Sequence, residues 1–245
     1  MKFIPVKTRA FLPPKDDIYN LLDNHLPPLH EGDILVITSK ILGIHQGRTI
    51  KVKTDSREEK IRVALKEADY YVPQKNFLQS RYFLTIKDNT LIGASGVDRS
   101  NGNGYYVLWP KRNQKLLKEI WLYLKKKSRL KKLGIISVDS LVFPLRSGTV
   151  GISTGFYGFE PLIDYRGKRD IFGLPLKVTQ ANIVDSLAAT SNLLMGESKE
   201  RTPLLIIRDI KFIKFTSKNT YSKIIINPKI DVYYPLLKVY KKIKK

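Results

Sequence analysis

The sequence predicts an α+β fold, with mixed, largely antiparallel sheets against packed helices. Short apolar runs bounded by turn residues recur along the chain and read as strands. Two longer stretches carry apolar residues at helical spacing. These elements mix without a regular strand–helix period. Neither GxGxxG after a strand nor GxxxxGK[ST] occurs, which argues against dinucleotide-binding and P-loop folds.

Taken in order, "DILVIT" (Asp33–Thr38) follows the turn "HEGD" and reads as a buried strand. "GIHQGR" then leads into a second strand within "TIKVKT". Ser56 and Glu59 have capping-box spacing and open a helix with Ile61, Ala64, Leu65 and Ala68 on one face. "YFLTI" and "TLIGAS" flank residues 87–89 as a hairpin, which runs into "GASGVDRSNGNG". "YYVLWP" (105–110) reads as a further strand. Residues 112–132 form the clearest helix, with Leu116, Leu117, Ile120, Trp121 and Leu124 on its apolar face and Lys and Arg opposite. Gly134 is expected to end it, and "IISVD" to be a strand with Asp139 at its end.

Gly148, Gly151, Gly155 and Gly158 recur every three or four residues, a spacing suited to close backbone packing. "PLKVT" reads as a short strand. Ala181–Met195 reads as a helix bearing Ile183, Val184, Leu187, Ala188, Ser191 and Leu194, capped by Gly196. "TPLLIIRD" is a buried strand, and the tail adds "FIKF", "KIII" and "VYYPLL" before "KKIKK", which is expected to fray. One domain over 1–233 with a basic tail over 234–245 accounts for this order.

Composition narrows the chemistry. With no cysteine, disulfides, cysteine-ligated zinc and a cysteine nucleophile are excluded. His25, His30 and His45 are the only histidines and lack HExxH spacing, which argues against a histidine-rich metal site. No stretch is long and apolar enough to span a bilayer, and the amino terminus does not resemble a signal peptide, so a soluble, cytoplasmic protein is expected. The net charge of +22 draws anions such as nucleotides and nucleic acids, or reflects solvated lysines.

Three acidic residues share one context. Asp98 follows the hairpin, Asp139 is followed by Ser140, and Glu197 follows "NLLMG". Each lies at an element end beside small residues, where carboxylate and backbone can approach a ligand. Taken singly, each also suits a turn or cap. Together, oxygen donors without His or Cys suit Mg²⁺ or Mn²⁺ bridging phosphates.

Four motifs occur in a telling order: "GVDRSN", "VDS" followed by Arg146-x-Gly148-x-x-Gly151, "DYRGKRDIFG" and "NLLMGE". In these the chain resembles the coenzyme F-420-0 gamma-glutamyl ligase family, from "EGDILVITSK" through "TPLLIIRD" and more loosely through "INPKIDVYY". The resemblance implies a mixed α+β fold forming an intertwined homodimer. It implies a ligase that joins L-glutamate to an acceptor carboxylate through an acyl phosphate, with GTP as co-substrate and Mg²⁺ or Mn²⁺. By the same resemblance, Asp98, Asp139, Ser140 and Glu197 are the metal ligands. Ser39, Lys40, Asn101 and the loop Met195, Gly196 and Glu197 contact the nucleotide. Arg146 joins Asp139 as a candidate catalytic residue, adding positive charge at the phosphates.

The departures from the family pattern fall around these positions. Leu141, Val142 and Phe143 stand where the family usually has x-Gly-Arg, Ile44 replaces a lysine, and Gln46 replaces a glutamate. An altered acceptor is therefore expected, the deazaflavin coenzyme or another carboxylate such as a folate. The competing class is a non-catalytic nucleotide- or nucleic-acid-binding relative. No aromatic-studded RNA-binding motif or helix-turn-helix supports it.

Overall fold

A computed structural model describes residues 1–73 and 83–243. In chain order, β1 (Lys2–Val6), α1 (Ile18–His25), β2 (Asp33–Thr38), α2 (Ser39–His45) and β3 (Thr49–Lys51) come first. Next are α3 (Arg57–Glu67), β4 (Tyr70–Tyr71), β5 (Leu84–Lys87), β6 (Thr90–Gly93), β7 (Tyr105–Val107) and α4 (Asn113–Ser128). The carboxyl-terminal half adds β8 (Leu133–Val142), β9 (Thr149–Tyr157), β10 (Leu162–Asp164), β11 (Gln180–Asn182) and α5 (Ile183–Met195). It ends with β12 (Leu204–Arg208), α6 (Tyr234–Leu237) and β13 (Lys241–Lys242).

The central sheet has the order β1-β12-β2-β8-β9. Only the β2–β8 pair in it is parallel. Both faces of this sheet are covered. Leu35 and Ile37 of β2, Ile135 of β8 and Leu204 and Ile206 of β12 face a core shared with α1, α2 and α4. Ile34 and Val36, Ile136 and Val138, and Leu205 and Ile207 face the opposite core against α5. That double burial explains why "DILVIT" is an unbroken apolar run rather than an alternating one. A smaller sheet, β13-β4-β5-β6, lies beside a satellite core that includes Val63 and Ala64 of α3, Phe83, Val97 and Tyr106.

The mixed, largely antiparallel α+β architecture agrees with expectation. Helix α4 buries Leu116, Leu117, Ile120, Trp121 and Leu124, the five residues named from periodicity. The Ser56 hydroxyl caps α3 at the Glu59 amide, while the Glu59 carboxylate accepts from Lys53, Thr54 and Asp55 instead of closing a reciprocal box. The β5–β6 hairpin forms as read; Tyr82 of "YFLTI" lies outside the described residues.

"GIHQGR" leads as read into a strand within "TIKVKT", which is β3, and its first three residues close α2, where Ile41, Leu42 and Ile44 are buried. Several expectations are corrected. Helix α4 stops at Ser128, with Arg129 left-handed at φ 55°. Gly134 instead lies inside β8, where a Cβ would come within 2.9 Å of Ile34 and Phe159. Strand β8 runs past Asp139 to Val142, so Asp139 is internal to it. "PLKVT" forms only an isolated bridge between Arg169 and Pro175, since Pro175 has no N–H and Leu174 and Val178 have no core to cover. Helix α5 begins at Ile183, with Ala181 in β11, and Leu194 is about half exposed. "FIKF", "KIII" and "VYYPLL" form no strands; short helical turns occupy Tyr221–Ile224 and Tyr234–Leu237. Lys241 and Lys242 of "KKIKK", expected to fray, pair with Tyr71 and Tyr70, and residues 244–245 lie outside the described residues.

Three of the four spaced glycines pack closely. A Cβ on Gly151 would meet the α5 backbone at Ala188, and one on Gly155 would meet Asn113 and Gln114 of α4. Gly158 combines φ +97° with close approach to Leu133 and Trp121. Gly148 has nothing within 4 Å and serves the turn through its φ of +91°.

Candidate active site

Strand β2 ends at Thr38, where its parallel pairing with β8 stops opposite Val138, while β8 continues to Val142. Such strand ends leave a crevice where ligands bind in α/β sheets. Here a cavity of about 560 Å³ opens at that point. Ser39, Lys40, Asp98, Asn101, Asp139, Ser140, Met195, Gly196 and Glu197 all line it. Nine residues spread over more than 150 positions of sequence are thus brought together.

Side-chain alternation places Asp139 and Ser140 on opposite faces of β8. Asp139 faces the α2 side. Its Oδ2 accepts from the Ser39 hydroxyl at 2.6 Å and from the Trp109 indole N–H, and its Oδ1 accepts from the Ser140 amide at 2.8 Å. Burial pushes its carboxyl above the ordinary aspartate range, against the pull of these donors. Ser140 turns toward the α5 side, where its hydroxyl lies 3.4 Å from Glu197 Oε2. Glu197 also accepts from Asn192 Nδ2 at 2.7 Å and lies 3.4 Å from the Thr149 hydroxyl. Between Ser137 and Val138 the pairing shifts, leaving Thr154 as an extra residue on β9. Bulges of this kind re-aim side chains next to sites.

Asp98 enters from the other side. Its backbone bridges Val107 in both directions. Its carboxylate accepts from Lys40 Nζ at 2.6 Å, from the Ser100 hydroxyl, and from the Arg99 and Ser100 amides at 2.7 and 3.1 Å. Partial burial works against the charge, but Lys40 prevails and holds the carboxyl at about 2. Lys40 Nζ also donates to the Ser100 carbonyl at 2.7 Å. Asn101 has φ 52° and donates through Nδ2 to the Ser198 carbonyl at 2.9 Å, which ties its loop to the segment after Gly196. Gly196 ends α5 at φ +80° and directs Glu197 back to the cavity. The Met195 side chain belongs to the α5 core.

Arg146 is placed apart. It lies in the exposed turn between β8 and β9 and is not a lining residue of the cavity, because the hairpin extends beyond Asp139 before turning. Residues not singled out from sequence complete the site. Asn192 was signalled by its place, a polar residue one turn after Ala188 on the buried face of α5. Trp109 read only as an apolar strand residue. Arg9, Lys199 and Arg201 line the cavity and add positive charge, from segments without motif character.

Every candidate donor is oxygen, which suits a hard divalent cation in kind. Asp139 is half-buried and, among the described residues, has only neutral hydrogen-bond partners, so a cation would offset an unbalanced charge. Among the described residues, no three His, Asp or Glu side chains are gathered tightly enough to form a metal cluster as they stand.

Fold and cavity together define an α+β protein with an oxygen-rich pocket, flanked by cations, where the parallel pairing of two central strands ends. Residues 8–209 match the family described as F420-0:Gamma-glutamyl ligase, and the chain belongs to that family. It is 32% identical over 213 residues to the coenzyme F420:L-glutamate ligase of Methanococcus maripaludis, spanning 80% of this chain and 84% of that one. It is 33% identical to the protein of the same name from Methanocaldococcus jannaschii, over 74% of this chain and 77% of that one. The Methanopyrus kandleri protein of that name is 27% identical over 95% of this chain and 97% of its own. The resemblance read from the four motifs is therefore borne out.

Proposed function

We propose that this protein is a coenzyme F-420 glutamate ligase that uses GTP and a divalent cation. In this reaction the γ-phosphate of GTP passes to an acceptor carboxylate, giving an acyl phosphate and GDP. The amine of L-glutamate then attacks the acyl carbon, forming the amide and releasing phosphate and a proton. The observation that carries the reading is the meeting of Ser39, Lys40, Asp98, Asn101, Asp139, Ser140 and Glu197 in one cavity.

Phosphoryl transfer needs alignment and charge neutralisation more than a strong base. Lys199 and Arg201 supply positive charge along the cavity wall, while Lys40 and Arg9, which also line it, are paired with Asp98 and Asp16. Asn101 fastens the Asp98 loop to the segment after Gly196, so the two walls act together. Asp98, Asp139, Ser140 and Glu197 would hold Mg²⁺ or Mn²⁺, which would neutralise phosphate oxygens when bound. Leu141, Val142 and Phe143 replace the family's x-Gly-Arg, which favours an acceptor with fewer anionic groups near the β8–β9 hairpin.

The family's intertwined homodimer is part of the proposal. Its support is the β10–β11 arm, where Ile171, Phe172, Leu174 and Val178 are exposed, an unusual burden for a monomer. Light scattering at micromolar concentration tests that element. Among the described residues no helix is long and apolar enough to cross a membrane.

The decisive assay supplies GTP, Mn²⁺, labelled L-glutamate and either the deazaflavin coenzyme or a folate, with products read by mass. Gain of one glutamyl residue with matching phosphate release is expected, and Asp139→Asn should abolish both while the fold is retained. Full turnover in Asp139→Asn would refute the assignment of that residue. Salt-sensitive RNA binding without any glutamyl transfer would favour the non-catalytic alternative.

A further inference from the structure

Trp109 sits where no motif singled it out, at the end of the segment after β7. The residue is 3% exposed. The indole N–H donates to Oδ2 of Asp139, the same oxygen that accepts from Ser39 Oγ at 2.6 Å. An indole N–H can only donate, so it cannot exchange roles with the carboxylate. Both side-chain donors are neutral. They orient the carboxylate without cancelling its charge, unlike Lys40 on Asp98. With Oδ2 taken twice, Oδ1 is the oxygen with capacity left.

Trp109 is itself held at its backbone and at its ring. The Arg48 Nε–H donates to the Trp109 carbonyl at 3.2 Å, and Arg48 pairs with Glu67, which also accepts from Lys87 Nζ at 3.0 Å. Gly96, at φ +69°, lies against the ring, and a Cβ there would come within 2.5 Å of its Cδ1. A neutral, buried aromatic donor locked in place behind a half-buried carboxylate matches the partners that orient metal-ligating groups in protein sites.

We infer that Trp109 is a positioning residue for cation binding: its N–H, with Ser39, fixes Asp139 so that Oδ1 faces an incoming divalent cation. This inference rests on the proposal that Asp139 is a cation ligand. It goes beyond that proposal by assigning the carboxylate's orientation to a side chain that does not line the cavity. It also distinguishes the two aspartates: Asp98 already has a cationic partner, whereas among the described residues Asp139 has none in its hydrogen-bonding shell.

The test is direct Mn²⁺ binding to the full chain, followed by electron paramagnetic resonance of free Mn²⁺ without nucleotide or turnover. The variants are Trp109→Phe and replacement of Trp109 by benzothienylalanine, which keeps the bicyclic shape and lacks the N–H. Asp139→Asn serves as the reference. Losing an outer partner of a metal ligand weakens affinity roughly 10- to 100-fold. Both Trp109 replacements are expected to raise the Mn²⁺ dissociation constant about 10-fold or more, with little change in nucleotide affinity. If Trp109→Phe fails to fold, the benzothienylalanine protein decides alone, because its packing is conserved. Wild-type affinity in that protein, with Asp139→Asn impaired, overturns the role of Trp109 and leaves the cation site standing. Equal Mn²⁺ binding by wild type and Asp139→Asn overturns the cation-ligand proposal and this inference with it.

Discussion

Gly151→Ala tests whether the packing of one helix on one strand sets the geometry of the cavity. Gly151 lies on β9 opposite Ser140, and its missing side chain is where α5 crosses. A Cβ there would lie 2.7 Å from the Ala188 carbonyl oxygen and 3.1 Å from its carbon, and closer still to Asn192 Cβ. Carbon atoms in contact sit about 3.5–4.0 Å apart. Helix and strand must therefore separate by roughly 1 Å. Overpacking of this size costs about 1–3 kcal/mol. For a chain of this length each kcal/mol lowers the melting temperature by about 2–4 °C, so a fall of roughly 2–12 °C is expected. The same displacement carries Asn192, which holds Glu197 at 2.7 Å, away from Ser140. Calorimetry and Mn²⁺ binding should therefore worsen together. A variant with unchanged melting temperature and cation affinity would refute the idea that this contact is tight and coupled to the site.

Arg208→Met should be among the most destabilising single changes. It strips the bidentate guanidinium from Asp33, which is fully buried, and leaves a desolvated carboxylate. Breaking such a pair costs about 3–5 kcal/mol; a urea midpoint unchanged from wild type would disprove it. Arg9→Met should release Asp16, whose carboxyl is held at about 2 chiefly by its hydrogen bond with Arg9, against burial. A depressed carboxyl contributes stability that is present above its unfolded value near 4 and lost as pH falls toward 2. The stability gap between wild type and Arg9→Met should thus narrow on acidification over that window. Carboxyl NMR should place the Asp16 midpoint higher in the variant, and an unmoved midpoint would contradict the pairing.

Local patterns in the sequence determined the elements whose stabilising face is written in one continuous stretch. The α4 stripe, "DILVIT", "TPLLIIRD" and the β5–β6 hairpin are of this kind, because periodicity reports burial directly. The polar groups of the cavity were named through the family resemblance that the motifs carry, since the residues alone left each carboxylate equally suited to a turn or cap. Tertiary structure decided the rest. Whether "PLKVT" or "KKIKK" becomes a strand depends on a partner edge far away in sequence, not on the segment's own residues. Where β8 stops relative to Asp139, and hence why Arg146 is carried past the cavity, depends on how far β9 continues to pair with it. Trp109 gave no functional signal, because an indole in an apolar run looks like core. Only the fold brings its one N–H to the aspartate thirty residues away.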